Sequence, residues 1–313
     1  MLSIFKIALI ATAVLLLAAV PGYIMMKRKM LNEACIAGFS KILLFVCQPC
    51  LAVYTFTSAT LSVEKLIEVG FFALLTVAIF LIVLGGAYIF LHKKYGEPIY
   101  RIITIATTFA NCAFFAIPII EALLPGVSEE LIIFTTAFAV VMNVIGWTLG
   151  AAIISGDTRY ISLKKIFLNP AMVGTVVALL IFVCKIPIEG DLRNMIVTTA
   201  RMSTPLSMII MGMRLATMEF KSLFTDLRVY LTIAVKQIVM PLVAFGLVYF
   251  LPISLDVKQT FFIICACPVA SVVLNFAEIV GAGQREAAKL LLLGTFLSVV
   301  TLPLMMMLLP LLA

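Results

Sequence analysis

Charged residues are scarce in this chain. Asp, Glu, Lys and Arg make up 12% of its 313 residues, whereas 64% of the residues are hydrophobic. A soluble domain of this size has about half apolar and about a quarter charged residues. The apolar residues lie in blocks of about 20, the length of helix that crosses a hydrocarbon core of roughly 30 Å. The scarcity of charge excludes a soluble domain with one core and predicts an all-α, polytopic membrane protein embedded in the lipid bilayer.

Histidine is almost absent as well. The single His92 excludes metal sites and catalytic triads that need two imidazole groups. The apolar segments also lack a Gly-x-Ser-x-Gly motif and an aspartate pair, so we expect no enzyme, no cofactor and no metal. The net charge of +7 comes from basic residues scattered through short loops, which argues against a nucleic-acid partner. The seven cysteines are odd in number and lie in or beside apolar segments, so a disulfide framework is not expected.

A long hydrophilic linker is also missing from the chain. Apolar runs between charged or turn-rich loops predict ten spans, at about 4–26, 35–56, 67–91, 101–124, 130–154, 169–187, 193–218, 227–251, 259–281 and 286–310. The longest connection, at 155–168, falls halfway along the chain and is predicted to be a cytoplasmic loop. It separates a first unit of five spans, residues 1–154, from a second unit of five spans, residues 169–313.

The basic residues are distributed unevenly between the two ends of the spans. Fourteen Lys and Arg residues, among them Lys164 and Lys165, follow odd-numbered spans, and five lie at the opposite side. Short cytoplasmic loops of membrane proteins carry an excess of Lys and Arg. The distribution therefore predicts that both termini face outward, in a multi-pass protein of the plasma membrane.

The prolines indicate an internal repeat. Pro49 in span two and Pro205 in span seven are 156 residues apart, and Pro118 in span four and Pro268 in span nine are 150 apart. These similar separations suggest that spans 1–5 and 6–10 are equivalent units. Because each unit has five spans, the second unit must be inserted upside down. Inverted repeats with interrupted helices are typical of secondary transporters.

Spans four and nine each pair an asparagine with a proline. Proline removes a backbone donor and interrupts a helix, which membranes tolerate where the backbone faces protein or a water-filled cavity. The N-terminus of a broken helix suits a carboxylate, and the amides of Asn111 and Asn275 are close to Pro118 and Pro268 in sequence. The alternative is structural: a proline kink and an asparagine that hydrogen-bonds a neighbouring helix.

Several stretches of the chain resemble the auxin efflux carrier family, which includes plant auxin exporters and bacterial malate or malonate permeases. They are "FANCAFFAIPIIEALLPG", "NPAMVGTVVALL", "TPLSMIIMGMRLA" and "ACPVASVVLNFAEIVGAGQREAAKLLLLGTFLSVVTLPL". The resemblance implies ten transmembrane helices in two inverted five-helix repeats, with helices four and nine broken at their prolines and crossing there. The short central connection resembles the bacterial-type members.

The same resemblance implies roles for individual residues. Asn111, Pro118 and Pro268 match the helix crossover, and Asn143 matches a substrate-contacting amide of the fifth helix. We add Ser271 and Asn275, from the motif that follows Pro268, so that the candidate substrate-binding residues are Asn111, Asn143, Ser271 and Asn275.

Lys236 lies midway through predicted span eight, and Glu278 lies in predicted span nine. A charge at the centre of a bilayer costs at least about 2.5–3.5 kcal/mol, so each needs a partner or an aqueous path. They are candidate coupling groups or counter-charges for an anion, and the alternative is a structural ion pair or a side chain that reaches the interface.

Together, these features predict a secondary active transporter that moves a small organic anion, a mono- or dicarboxylate such as malate or malonate, by alternating access around the helix crossover. A proton or a sodium ion is the possible coupling ion, and a homodimer is a possible assembly. An anion-binding sensor or a channel with the same fold remains open, as does an ion or proton antiporter, although no aspartate falls within a span.

Overall fold

The computed structural model describes residues 1–59, 62–157, 159, 170–184 and 186–313. Most of the predicted connection at 155–168 lies outside the described residues, including Lys164 and Lys165. Apart from one isolated backbone bridge, the regular structure of the described ranges is helical.

We number the helices in chain order as α1 to α13. They are α1 (Leu2–Lys27), α2 (Glu33–Ser58), α3 (Val63–Leu91), α4 (Pro98–Ala106), α5 (Ala116–Leu123), α6 (Ser128–Ser155), α7 (Pro170–Val183), α8 (Gly190–Arg201), α9 (Ser203–Thr217), α10 (Leu227–Tyr249), α11 (Leu255–Ala266), α12 (Val272–Val280) and α13 (Gln284–Met306). Among the described residues, α1, α2, α6, α10, α13 and the helix that begins at Val63 are long and apolar enough to cross a membrane. The chain is therefore a multi-pass membrane protein.

Three long helices begin at a polar capping side chain. The side chain of Asn32 accepts a hydrogen bond from the Cys35 N–H at the start of α2, and that of Ser62 accepts one from Lys65 at the start of α3. Asp226 accepts one from the Arg228 N–H at the start of α10. Such caps satisfy N–H groups that have no acceptor within the helix, so local sequence defines these boundaries.

Two of the predicted spans, the fourth and the ninth, are interrupted by several residues in the middle, and span seven is divided at Met202 between α8 and α9. The first interruption separates α4 from α5 at residues 107–115, and the second separates α11 from α12 at residues 267–271. The second interruption contains Pro268, whereas the first contains no proline. The expectation that the fourth span breaks at Pro118 is not confirmed, because Pro118 lies just after the break, as the third residue of α5. In the first turn of a helix the N–H groups have no intrahelical acceptor, so a proline there costs no hydrogen bond.

The two interrupted segments cross and pair through their backbones. Ala110 and Val269 form an antiparallel bridge. On one side of it the Asn111 N–H donates to the Pro268 carbonyl oxygen at 2.8 Å, and on the other the Ala270 N–H donates to the Phe109 carbonyl oxygen at 2.9 Å. Each break therefore satisfies backbone groups of the other, which a membrane interior requires.

The pairing places Asn111 opposite Pro268, and Phe109 opposite Ala270. A two-fold axis through the Ala110–Val269 bridge would relate Asn111 to Ala270 and Phe109 to Pro268. In that relation Pro118 is not the counterpart of Pro268, and Asn111 is not the counterpart of Asn275.

The four half-length helices leave the crossing in two directions. Helix α4 packs against α12, and α5 packs against α11. Because α4 and α5 continue away from the crossing in opposite directions, α5 and α12 lie on opposite sides of it. The crossing therefore separates the space beside α12 from the space beside α5.

An aromatic core holds the crossing against α3 and α6. The ring of Phe109, inside the first break, stacks on Phe80 of α3 at a centroid distance of 5.5 Å, and Phe80 meets the edge of Phe138 of α6 at 5.1 Å. All three side chains are fully buried. Gly146 of α6 allows this approach, because a Cβ atom there would lie 2.8 Å from the ring of Phe276 and 3.2 Å from that of Phe109.

Candidate functional site

A cavity of about 850 Å³ ends at the crossing, on the side of α12. Five of the residues predicted from the sequence line it, namely Asn111, Asn143, Ser271, Asn275 and Glu278. They come from the first break, from α6 and from the start and the body of α12. Residues that are distant in the sequence therefore share one space, as a binding site requires.

Asn111 is held at the end of this cavity by its own backbone. Its N–H is bound to Pro268, and its carbonyl oxygen accepts a hydrogen bond from the Ala116 N–H at 3.2 Å. The residue is 7% exposed, and its side-chain amide makes no hydrogen bond within the described residues. Buried amides are almost always hydrogen-bonded, so this group is suited to a partner that enters the cavity.

Ser271 and Asn275 lie at the start of α12. Ser271 is the N-cap residue, but its hydroxyl makes no capping hydrogen bond, and the Asn275 side chain is likewise without a hydrogen bond in the described ranges. At the start of α12 the Val273 and Leu274 N–H groups donate to the carbonyl oxygens of Ala270 and Ser271. The helix end still carries a partial positive charge. Together with the Ser271 hydroxyl and the Asn275 amide, this charge favours a negatively charged group in the cavity.

Asn143 lines the same cavity from α6, the helix that packs against α12 through Gly146 and Trp147. Its Nδ2 donates to the Ala139 carbonyl oxygen at 2.8 Å, so part of its hydrogen-bonding capacity is used within its own helix. One turn further on, the Trp147 ring meets the edge of Phe276 at a centroid distance of 4.8 Å. This aromatic pair and Asn143 make one wall both apolar and polar, as is common in sites for small organic molecules.

Lys236 does not reach the cavity. It lies in a π-helical turn of α10, is fully buried, and donates from Nζ to the carbonyl oxygens of Cys265 and Cys267, each at 2.9 Å. These carbonyls end α11 immediately before the crossing. Lys236 therefore supplies a positive charge behind the site and caps the negative end of a broken helix.

Glu278 has a partner that the sequence did not reveal. Its Oε1 lies 2.8 Å from Nη1 of Arg214, near the end of α9, and both residues line the cavity. The ion-pair alternative for Glu278 is thus the arrangement found. The sequence signal for Arg214 is its position in "GMRLA", close after an apolar helical stretch.

A second cavity, of about 450 Å³, lies on the other side of the crossing. It is lined on the α5 side by Pro118 and Glu121, and Arg201 at the end of α8 also faces it. Pro118 thus contributes to the wall of this second space, and not to the crossing. Pro268 lines neither cavity.

Comparison with known proteins gives one finding. A family model described as membrane transport protein matches the chain over residues 7–162 and 157–306. No curated protein matches the chain. The family match covers nearly the whole sequence and agrees with the motifs that resemble the auxin efflux carriers. The chain therefore belongs to the membrane transport protein family of the auxin efflux carriers.

Proposed function

We propose that this membrane transport protein is a secondary active transporter of a small organic anion, a mono- or dicarboxylate such as malate or malonate. One observation carries the proposal. Two side-chain amides without hydrogen bonds in the described ranges, Asn111 and Asn275, face a single cavity beside the N-terminal end of α12. Amide donors and a helix N-terminus match the carboxylate group, which accepts hydrogen bonds and carries negative charge.

The charge behind the crossing supports an anion as well. Lys236 is fully buried and has no ion pair within the described residues. A buried charge without a counter-charge is costly, and an anion bound nearby in a medium of low dielectric constant would offset part of that cost. Lys236 thus acts through its electric field and through the crossing, without touching the substrate.

Two cavities on opposite sides of one crossing support alternating access. The larger cavity lies beside α12 and the smaller one beside α5, so a rearrangement around the crossing would exchange the open side. We extend this to ten membrane spans in two inverted five-helix units, residues 1–154 and 169–313. In this arrangement the larger cavity opens to the cytoplasm and both termini face outward from the plasma membrane.

The decisive experiment is counterflow in proteoliposomes loaded with unlabelled malate, with radiolabelled malate outside. A carrier accumulates label transiently, because internal malate drives exchange through the alternating site. Dissipating a proton gradient or replacing sodium by choline then tests which ion, if either, is coupled to uptake.

The alternative functions give different results in the same vesicles. A channel equilibrates malate without stimulation by internal malate, and an anion-binding sensor binds it without any flux. An ion or proton antiporter moves cations independently of malate. Any of these outcomes would replace the proposal of a carboxylate carrier.

A further inference from the structure

We propose that Arg214 is the specificity residue for the substrate carboxylate and that Glu278 is a built-in competitor for its guanidinium group. This inference rests on the proposed transport of a carboxylate. Before substrate binds, the carboxylate of Glu278 occupies Arg214; when substrate enters, its carboxylate displaces that of Glu278.

The position of Arg214 supports this role. Along the described lining of the larger cavity, Arg214 is the one cationic residue, whereas Glu33 and Glu278 are acidic. Arg214 also lines a narrow recess of about 50 Å³ together with Asn111, Ser271 and Asn275. The guanidinium group is therefore close to the amides and to the start of α12, where the proposed substrate binds.

The ion pair is suited to exchange. The Arg214 side chain is 21% exposed and that of Glu278 is 44% exposed, so water in the cavity reaches both groups. An exposed ion pair contributes little net stability, typically below about 1 kcal/mol. Replacing one carboxylate by another preserves the charge balance at the guanidinium group, which can bind a carboxylate in a bidentate manner. Displacement of Glu278 is therefore not opposed by a large loss of stability.

The same exchange would release α12. Arg214 belongs to α9 and Glu278 to α12, and no other ion pair in the described ranges joins these two helices. When a substrate carboxylate takes the guanidinium group, α12 loses this connection to α9. Binding at the site and freedom of α12 to move would thus be linked through a single pair.

The test measures the Kd of malate for purified protein in detergent, by calorimetry, in four forms: the unmodified protein, Glu278→Gln, Arg214→Gln and the double variant. Removing the competitor in Glu278→Gln should tighten malate binding by about ten-fold, and Arg214→Gln should weaken it by about ten-fold or more, since hydrogen bonds to charged groups are strong. The double variant should bind as weakly as Arg214→Gln alone. Removing the Glu278 carboxylate tightens binding only by freeing the guanidinium group of Arg214, and the double variant has no such group.

A matched control uses an ion pair away from the cavity. Glu97 pairs with Arg228 at 3.2 Å, and neither residue lines the cavity. Glu97→Gln should leave the Kd of malate unchanged. Glycerol, a neutral molecule of similar size, should not bind better to Glu278→Gln.

The outcomes separate this inference from the proposed function. If the unmodified protein binds malate but Glu278→Gln binds it equally or more weakly, the competitor role is wrong and the pair is structural. Tightening that persists in the double variant would also overturn the role of Arg214. If neither malate, malonate nor acetate binds to any form, the proposed carboxylate transport itself fails.

Discussion

The ammonium group of Lys236 lies 2.9 Å from the carbonyl oxygen of Cys267, the residue that directly follows the broken helix α11. The next residue is Pro268, whose carbonyl accepts the hydrogen bond from Asn111 that closes the crossing. Lys236 therefore contacts the residue that precedes Pro268, next to the hydrogen bond between Asn111 and Pro268 at the crossing. A cation at this point compensates the partial negative charge of the helix end.

We expect Lys236→Met to destabilise the protein and to weaken anion binding. The carbonyl oxygens of Cys265 and Cys267 would lose their donor, at a cost of about 1–3 kcal/mol for buried polar groups left unsatisfied. Thermal melting in detergent and the Kd of malate measure the two effects. Lys258 is a suitable control, because it donates to the Tyr249 carbonyl at an exposed position, and Lys258→Met should change neither value. A Lys236→Met protein that melts and binds normally would contradict the role of Lys236.

The two cavity amides should contribute to affinity rather than to folding. Replacing Asn111 or Asn275 by alanine should each weaken malate binding by roughly ten- to a hundred-fold, because a hydrogen bond to a charged group contributes about 1.5–3 kcal/mol. If both contact the same bound molecule, the effect of the double substitution should differ from the sum of the single effects. The measurement is the Kd of malate alongside the melting temperature.

Asn194 provides the matched control for these two substitutions. It is exposed on α8 and does not line the cavity, so Asn194→Ala should bind malate normally. The opposite pattern, in which Asn111→Ala and Asn275→Ala bind normally but melt at a lower temperature, would make both asparagines packing residues.

Gly146 should be intolerant of larger side chains. A Cβ atom at this position would lie 2.8 Å from the ring of Phe276, so Gly146→Val would force the α6 helix away from α12 and the crossing. Overpacking of this kind costs typically about 1–3 kcal/mol, and we expect lower melting temperature together with lost uptake. Gly85→Val on α3 is the control, because no heavy atom lies within 4 Å of its added Cβ. Equal melting of the two variants would show that α6 accommodates the side chain.

The orientation is tested by labelling single cysteines introduced into a variant without native cysteines. A cysteine at Glu129, in the first turn of α6, should react with an impermeant maleimide added to intact cells. A cysteine at Lys221, which follows α9, should react only after the cells are opened. The reverse pattern of labelling would invert the proposed topology.

Local chemistry made much of the fold predictable. Apolar runs of membrane length located α1, α3, α6, α10 and α13 within a few residues, because each helix satisfies its own backbone. The scarcity of polar residues in apolar spans selected the amides of Asn111 and Asn275, both of which line the cavity, and the resemblance to the family matched Asn111 to the crossover.

The sequence by itself therefore determined that this is a multi-pass helical membrane protein, and it marked the segments that carry polar groups. Only the tertiary structure decided where the fourth span breaks, because that break is stabilised by hydrogen bonds between Asn111 and Pro268, which are far apart in the sequence. The same holds for Arg214 and Glu278, whose ion pair depends on how α9 lies beside α12. Backbone N–H and C=O groups in a membrane need hydrogen-bond partners. A segment that cannot satisfy these groups within its own helix bonds to a distant segment, and no local sequence pattern specifies which one.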